Sequence, residues 1–235
     1  MAEGVDELVT PEPASTIGDV IARMEEIEVS LPETDGVAIF NRLYLSVTRA
    51  IQNGVRDVSF KDEEFVSRLD VIFSNLYFRA VADAASGRAC PAAWQPLFEA
   101  RGRSGPRKIQ FALCGMNAHI NHDLPVAVKE TWVVLDKHPV AHSPQHRDFR
   151  SVNEVLRGVE AEVKTRFIRG TLEALVEATG GEGDKLAIWS IAGAREGAWH
   201  HGLTLYRLRD HEELERAYLD GLSCLAAIAG RGLLL

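Results

Sequence analysis

Gln110 to Pro125 read QFALCGMNAHINHDLP, a helix that is apolar at its start and crowded with ligand-type side chains at its end. His119, His122 and Asp123 stand at i, i+3 and i+4. At roughly 100° per residue they share one arc about 100° wide, so their tips can converge on a point beside the helix. Ala112, Gly115 and Met116 fall on the same arc, and the first two are small enough to leave room for a close neighbour or a ligand. Gln110, Asn117 and Asn121 form a second polar line on the opposite side. Polar stripes on both faces of an otherwise apolar segment point to a site without naming its reaction.

Outward from this stretch, apolar residues recur with a helical period and not with the alternation of a strand. Ser15 or Thr16 caps a helix through Ile17, Val20, Ile21, Met24 and Ile27, which stops before Pro32. A second follows Asp35 with Phe40, Leu43, Tyr44, Val47 and Ile51, ending near Gly54. A third opens at Asp62 and runs through Phe65, Leu69, Ile72, Phe73, Leu76 and Ala80 to Gly87. Pro91 starts a short helix with Trp94, Leu97 and Phe98. Arg101, Arg103, Arg107 and Lys108 read as a solvated connector. Beyond Pro125, VAVKETWVVLD fits a short helix or an extended segment equally well. Residues 138–147 read as a loop broken by Pro139 and Pro144, either a solvated loop or a cover for a site. A long helix is expected over 148–179, a Gly-rich joint over 180–184, and two last helices over 186–208 and 211–229. The expectation is an all-α protein: one bundle of roughly seven or eight helices over residues 15–235, behind a disordered tail at 1–14.

Composition narrows the function. The chain has 235 residues, 46% apolar and 26% charged, as a soluble globular protein has. A net charge of −8 argues against nucleic acid or an anionic membrane as partner. No apolar run approaches the ~20 residues of a membrane span. Cys90, Cys114 and Cys224 are scattered and lack metal-type spacing, which suits a reduced, cytoplasmic protein. The closing Leu233, Leu234 and Leu235 read as a docked tail or an interface contact, which admits a homodimer.

His119, His122 and Asp123 are the first candidates for metal ligands, since two imidazoles and a carboxylate suit one Zn²⁺ or non-haem iron with positions open for water or substrate. The bland alternative is a polar helix end whose side chains cap backbone groups. Asp70, in an apolar-flanked stripe with Ser74 and Tyr77, is a candidate ligand or general base whose burial calls for a cation or a metal. Tyr44, with Asn41 and Thr48, can add polar groups from the second helix, or simply pack. Glu196 and His200 face alike at i, i+4 and form an acid/base couple or an ordinary surface pair. Arg195 shares a stripe with Trp199, and a buried guanidinium would call for Asp70 or Asp123.

The words FNRLYLSVT (40–48), LDVIFSNLYFRA (69–80), IQFALCGMNAHINHDLPVAV (109–128) and AREGAWHHG (194–202) resemble an actinobacterial family of uncharacterised domains marked by this same central helix. The resemblance spans roughly residues 35–225. It implies an all-α fold with a polar interior shared by the second, third and central helices, supplies no activity, and associates the chain with secondary metabolism. Three functional expectations follow. The first is a metal-assisted enzyme acting on a small organic or natural-product substrate, with His119, His122 and Asp123 as ligands or acid/base groups and Asp70, Tyr77 and Arg195 completing the wall. The second drops the metal and has His and Asp shuttle protons while Tyr77 or Asn117 holds an enolate or carbonyl, as a cyclase, isomerase or lyase needs. Under either, Tyr44, Ser74, Asn117, Asn121, Trp199 and His200 are the candidates to line the substrate. The third is a non-catalytic binding protein whose polar helix is a buried network.

Overall fold

The computed structural model describes residues 12–54, 60–140, 143–153, 156 and 191–235. The readings of most of the 1–14 tail, of His142, of the long helix beyond 153, of the 180–184 joint and of residues 186–190 lie outside them.

Local chemistry sets the first three helices. Helix α1 (Ile17–Ser30) opens on a capping box in which the Thr16 hydroxyl accepts from the Asp19 amide and the Asp19 carboxylate accepts from the Thr16 amide. Those bonds, with two more from Ser15, pull the Asp19 carboxyl down to about 2. The helix buries Val20, Met24 and Ile27, one residue per turn on a single stripe, and Leu31 is extended before Pro32. Helix α2 (Gly36–Gly54) starts where Asp35 accepts from the Val37 amide. Asp35 also binds Arg101 at 2.7 Å, so that residue is a tie between α2 and the connector and not a purely solvated cation. Helix α3 (Glu63–Ala85) is capped by Asp62, which accepts from Phe65 N. A 3₁₀ turn at Ala92–Trp94 leads into α4 (Gln95–Ala100), with Pro96 in its first turn.

The centre is one rod. Helix α5 (Lys108–Ala118) passes into a π-turn at His119–Asp123 and on into α6 (Leu124–Val134). The chain thus stays helical through Pro125. In a regular α-helix the Pro125 ring would strike the Asn121 carbonyl and leave it without a donor. The wider turn, closed by the Leu124 amide donating to His119 O, accommodates it. The loop after Asp136 is likewise shorter than expected. Residues 144–153 are helical, because Pro144 occupies a first-turn position and Ser143 Oγ accepts from the His146 amide. Helix α7 (Ile191–Leu208) and helix α8 (Glu212–Leu233) complete the described elements, α8 running four residues beyond its expected end.

Among the described residues this is an all-α bundle with no strand, built of α1 to α8 and the helical segment 144–153. Around the rod, α2 and α8 flank α5, α3 and α7 flank α6, and α1 lies across α2 and α3. Two mid-helix glycines permit close approaches to the rod. A Cβ on Gly115 would lie 2.3 Å from Phe40 of α2, and one on Gly202 2.6 Å from Val128 of α6. Both positions let a helix sink into the rod where any other residue would hold it off. Cys90, Cys114 and Cys224 are free thiols, and burial pushes Cys114 up to about 12. No helix among the described residues is long and apolar enough to cross a membrane.

Candidate functional site

The π-turn brings together the three residues that the sequence singles out. Asp123 lies between two imidazoles, its Oδ2 2.9 Å from His119 Nδ1 and its Oδ1 2.8 Å from His122 Nδ1. The Trp94 indole N–H reaches the same carboxylate, at 3.1 Å from Oδ2 and 3.3 Å from Oδ1. All four side chains are buried. Burial would raise the Asp123 carboxyl, but hydrogen bonds from both imidazoles overcome it and hold the group below its ordinary value. Burial lowers His119, with Asp123 pulling the other way, and the net direction is down. At neutral pH the pair is therefore an ionised carboxylate and a neutral imidazole.

An ionised Asp123 can only accept, so His119 carries its proton on Nδ1 and a lone pair on Nε2. That Nε2 is sealed from solvent and has no hydrogen-bond partner among the described residues. The ring around it is fixed by aromatic neighbours. Phe73 stacks on it at 3.5 Å between centroids and 7° between planes, and Tyr44 meets it edge-on at 4.5 Å. Phe40 and Trp94 lie near it as well, at 5.8 and 5.9 Å between centroids. A neutral imidazole backed by a carboxylate, with a bare outer nitrogen, is equipped to take a proton or to donate its lone pair.

Tyr44 links this dyad to a second buried group. Its hydroxyl lies 2.7 Å from Ser74 Oγ. Burial, and next the negative charge of Asp70, raise the Tyr44 phenol well above its usual value, so it stays protonated. Asp70 as a residue is of intermediate burial, yet its Oδ2 is sealed and has no hydrogen-bond partner among the described residues. Burial pushes its carboxyl up to about 6 against the opposing charge of Arg195. Arg195 is itself brought down to about 10 by burial, with Asp70 and Tyr44 opposing. Its Nε donates to Asn153 Oδ1 at 2.8 Å, an Nη to the Phe149 carbonyl at 3.0 Å, and its plane lies 4.4 Å over the Phe149 ring. Arg195 and Asp70 thus sense each other while the guanidinium is tied to the 144–153 helix.

Of the candidates named from sequence, His119, His122, Asp123, Tyr44, Ser74, Asp70 and Arg195 form one polar string across α2, α3, the π-turn and α7. The others lie elsewhere. Asn117 donates to the Ala226 carbonyl of α8 at 2.7 Å, Asn121 donates to Asn117, and Gln110 reaches Leu233 O, so the second polar line anchors α8. The Tyr77 ring is 6.0 Å from His119, but its hydroxyl turns to Asn41, which holds Met24 O of α1. Trp199 is buried against Phe149, Phe65 and Trp132, beneath His146. His200 is exposed and pairs with Glu196. Trp94 and Phe73 were not foreseen as parts of the site. A tryptophan in a Pro-bounded segment carried one usable signal: its buried N–H needs an acceptor. A third sealed atom without a partner, Trp132 Nε1, lies apart from the string.

For the expected Zn²⁺ or iron, the donor set departs from three convergent ligands. Both Asp123 oxygens accept from ring and indole N–H groups, which makes Asp123 a carboxylate that orients imidazoles. Among the described residues no group of three or more His, Cys, Asp and Glu is arranged to hold a metal ion.

Residues 17–235 match the family model described as "Family of unknown function (DUF5995)", and the chain belongs to that family. No curated protein and no solved structure matches it.

Proposed function

We propose that this DUF5995 member is an enzyme that moves protons on a small organic substrate by general acid/base chemistry. The observation that carries the reading is the bare, buried Nε2 of His119, held as a lone pair by the ionised Asp123. His119 takes a proton from a C–H or O–H group of the substrate, and Asp123 stabilises the imidazolium that results. Asp70, with a carboxyl near 6, serves as the second acid or base, and the Tyr44–Ser74 hydroxyl pair donates to an oxygen on which charge develops. Arg195 keeps Asp70 within reach of neutral pH. Proton removal and return at separate positions is the chemistry of isomerases, cyclases and lyases. The resemblance to an actinobacterial family supports a natural-product substrate, and the free thiols support a cytoplasmic setting.

A second reading rests on the same nitrogen. His119 Nε2, with a carboxylate behind Nδ1, is also oriented as a metal ligand, and His122 would join it. Elemental analysis of protein purified without a metal column separates the two. The acid/base reading expects turnover in a metabolite extract, followed by mass spectrometry, that survives chelation and is lost in His119→Gln and Asp70→Asn proteins of unchanged circular dichroism. A stoichiometric metal that disappears in His119→Ala would replace that reading with the metal one.

A further inference from the structure

Helix α8 carries an apolar seam on the side away from the bundle. Leu214, Leu225 and Ile228 are 59%, 66% and 68% exposed, and Leu235 just beyond the helix is fully exposed. With Gly221 and Gly232 they are spaced by seven, then alternately by four and three residues, the repeat of a helix that pairs with another helix. Ala217, Cys224 and Ala229 widen the stripe, and all three are exposed. Neighbouring glycines in the helix differ in a telling way. A Cβ on Gly230 would lie 3.2–3.3 Å from Pro96 and Cys114, so that glycine serves the packing of the bundle. A Cβ on Gly221 or Gly232 would meet nothing within 4 Å among the described residues, yet each glycine costs an exposed helix about 1 kcal/mol relative to alanine. Nothing among the described residues accounts for that cost, whereas the close approach of another backbone would.

We propose that this face pairs, antiparallel, with α8 of a second copy of the chain. A two-fold axis between Ala226 and Ala227 sets Gly221 opposite Gly232 of the second copy and Leu225 opposite its Ile228, so small meets small and large meets large. The same axis puts Asp220 beside Arg231 of the second copy, and does so twice by symmetry. Asp220 and Arg231 are exposed and flank the seam on one side, and among the described residues Arg231 pairs with Glu99 at 3.6 Å. This axis leaves Leu214 opposite no residue of the second copy, so Leu225, Ile228 and Leu235 carry the contact. They present on the order of 400 Å² per copy, and the pair buries about 800 Å², the size of a weak contact. The dimer is accordingly a reversible one, with micromolar affinity.

Sedimentation equilibrium of the full chain across the micromolar range tests the pairing. The expected result is a monomer–dimer equilibrium whose dissociation constant rises at least about tenfold in Leu225→Glu and in Ile228→Glu, with circular dichroism unchanged because both side chains are outside the core. Asp220→Arg and Arg231→Asp should each weaken the dimer, and the two together should restore it. A chain that is monomeric throughout, or a dimer that survives both Glu substitutions, overturns the proposal. Dissociation by Glu without rescue by the charge swap overturns the antiparallel register. A monomer that sediments with phosphatidylcholine vesicles in a Leu225-dependent way assigns the face to lipid, and overturns it too.

Discussion

This protein twice surrounds one carboxylate with two imidazoles. Asp123 has His119 and His122; Glu196 has His146 at 2.9 Å and His200 at 3.4 Å, with Arg150 at 3.8 Å. The composition is nearly the same and the physics is not. The Asp123 side chain is 2% exposed and its donors come from the rod and from Trp94, whereas Glu196 is 35% exposed and His200 65%. Around Asp123 the missing water makes each bond obligatory and shifts protons. Around Glu196 water competes, and the trio holds the 144–153 helix to α7, with His146 stacked on Trp199 at 4.7 Å. Burial, not residue type, sets the two constellations apart.

The contrast breaks most visibly by deleting each carboxylate. Asp123→Ala strands three buried donors and should cost about 3 kcal/mol or more in urea denaturation. Asp70→Asn should do the opposite and stabilise the protein at neutral pH, by on the order of 1–2 kcal/mol once its partial exposure is allowed for. The folded carboxyl, near 6, lies above its ordinary 3.8, so the native state binds the proton more tightly than the unfolded chain. Asp70 costs stability as pH rises through that window, and the gain from Asn should open between about pH 4 and 6 and vanish below it. His119 has the reverse sign. Its folded value is below 6.5, so the unfolded chain takes the proton first, and stability is lost as pH falls below about 6.5. His119→Gln should flatten that acid limb of the melting temperature against pH. The smallest effect belongs to Glu196→Ala, under about 1 kcal/mol and shrinking with added salt. An equal response to Asp123→Ala and Glu196→Ala would erase the distinction between the two sites.

Helix existence and caps were legible because they are local. Thr16 and Asp62 cap where their types suggest, and Val20, Met24 and Ile27 face the core as their spacing requires. The rod's continuation through Pro125 was not legible, since a proline reads as a stop and a π-turn leaves no mark in a 100° projection. For the same reason His119, His122 and Asp123 looked like three tips meeting at an outside point, whereas the carboxylate sits between the two rings. The second polar line was visible in Asn117 and Asn121, but its use against α8 depends on which helix packs there, a non-local fact. Similarly, nothing in the spacing of Glu196 and His200 told their exposure from that of His119 and Asp123.

A widened turn can wander along a helix, handing its extra residue to the next turn by exchanging one backbone bond for another. At Pro125 there is no N–H to exchange, so that migration is blocked toward α6, and the angular offset between the two halves of the rod is locked into the covalent chain. Pro125→Ala would release it. The imidazoles could then rotate out of phase with Tyr44 and Phe73 without any change to the residues that touch them.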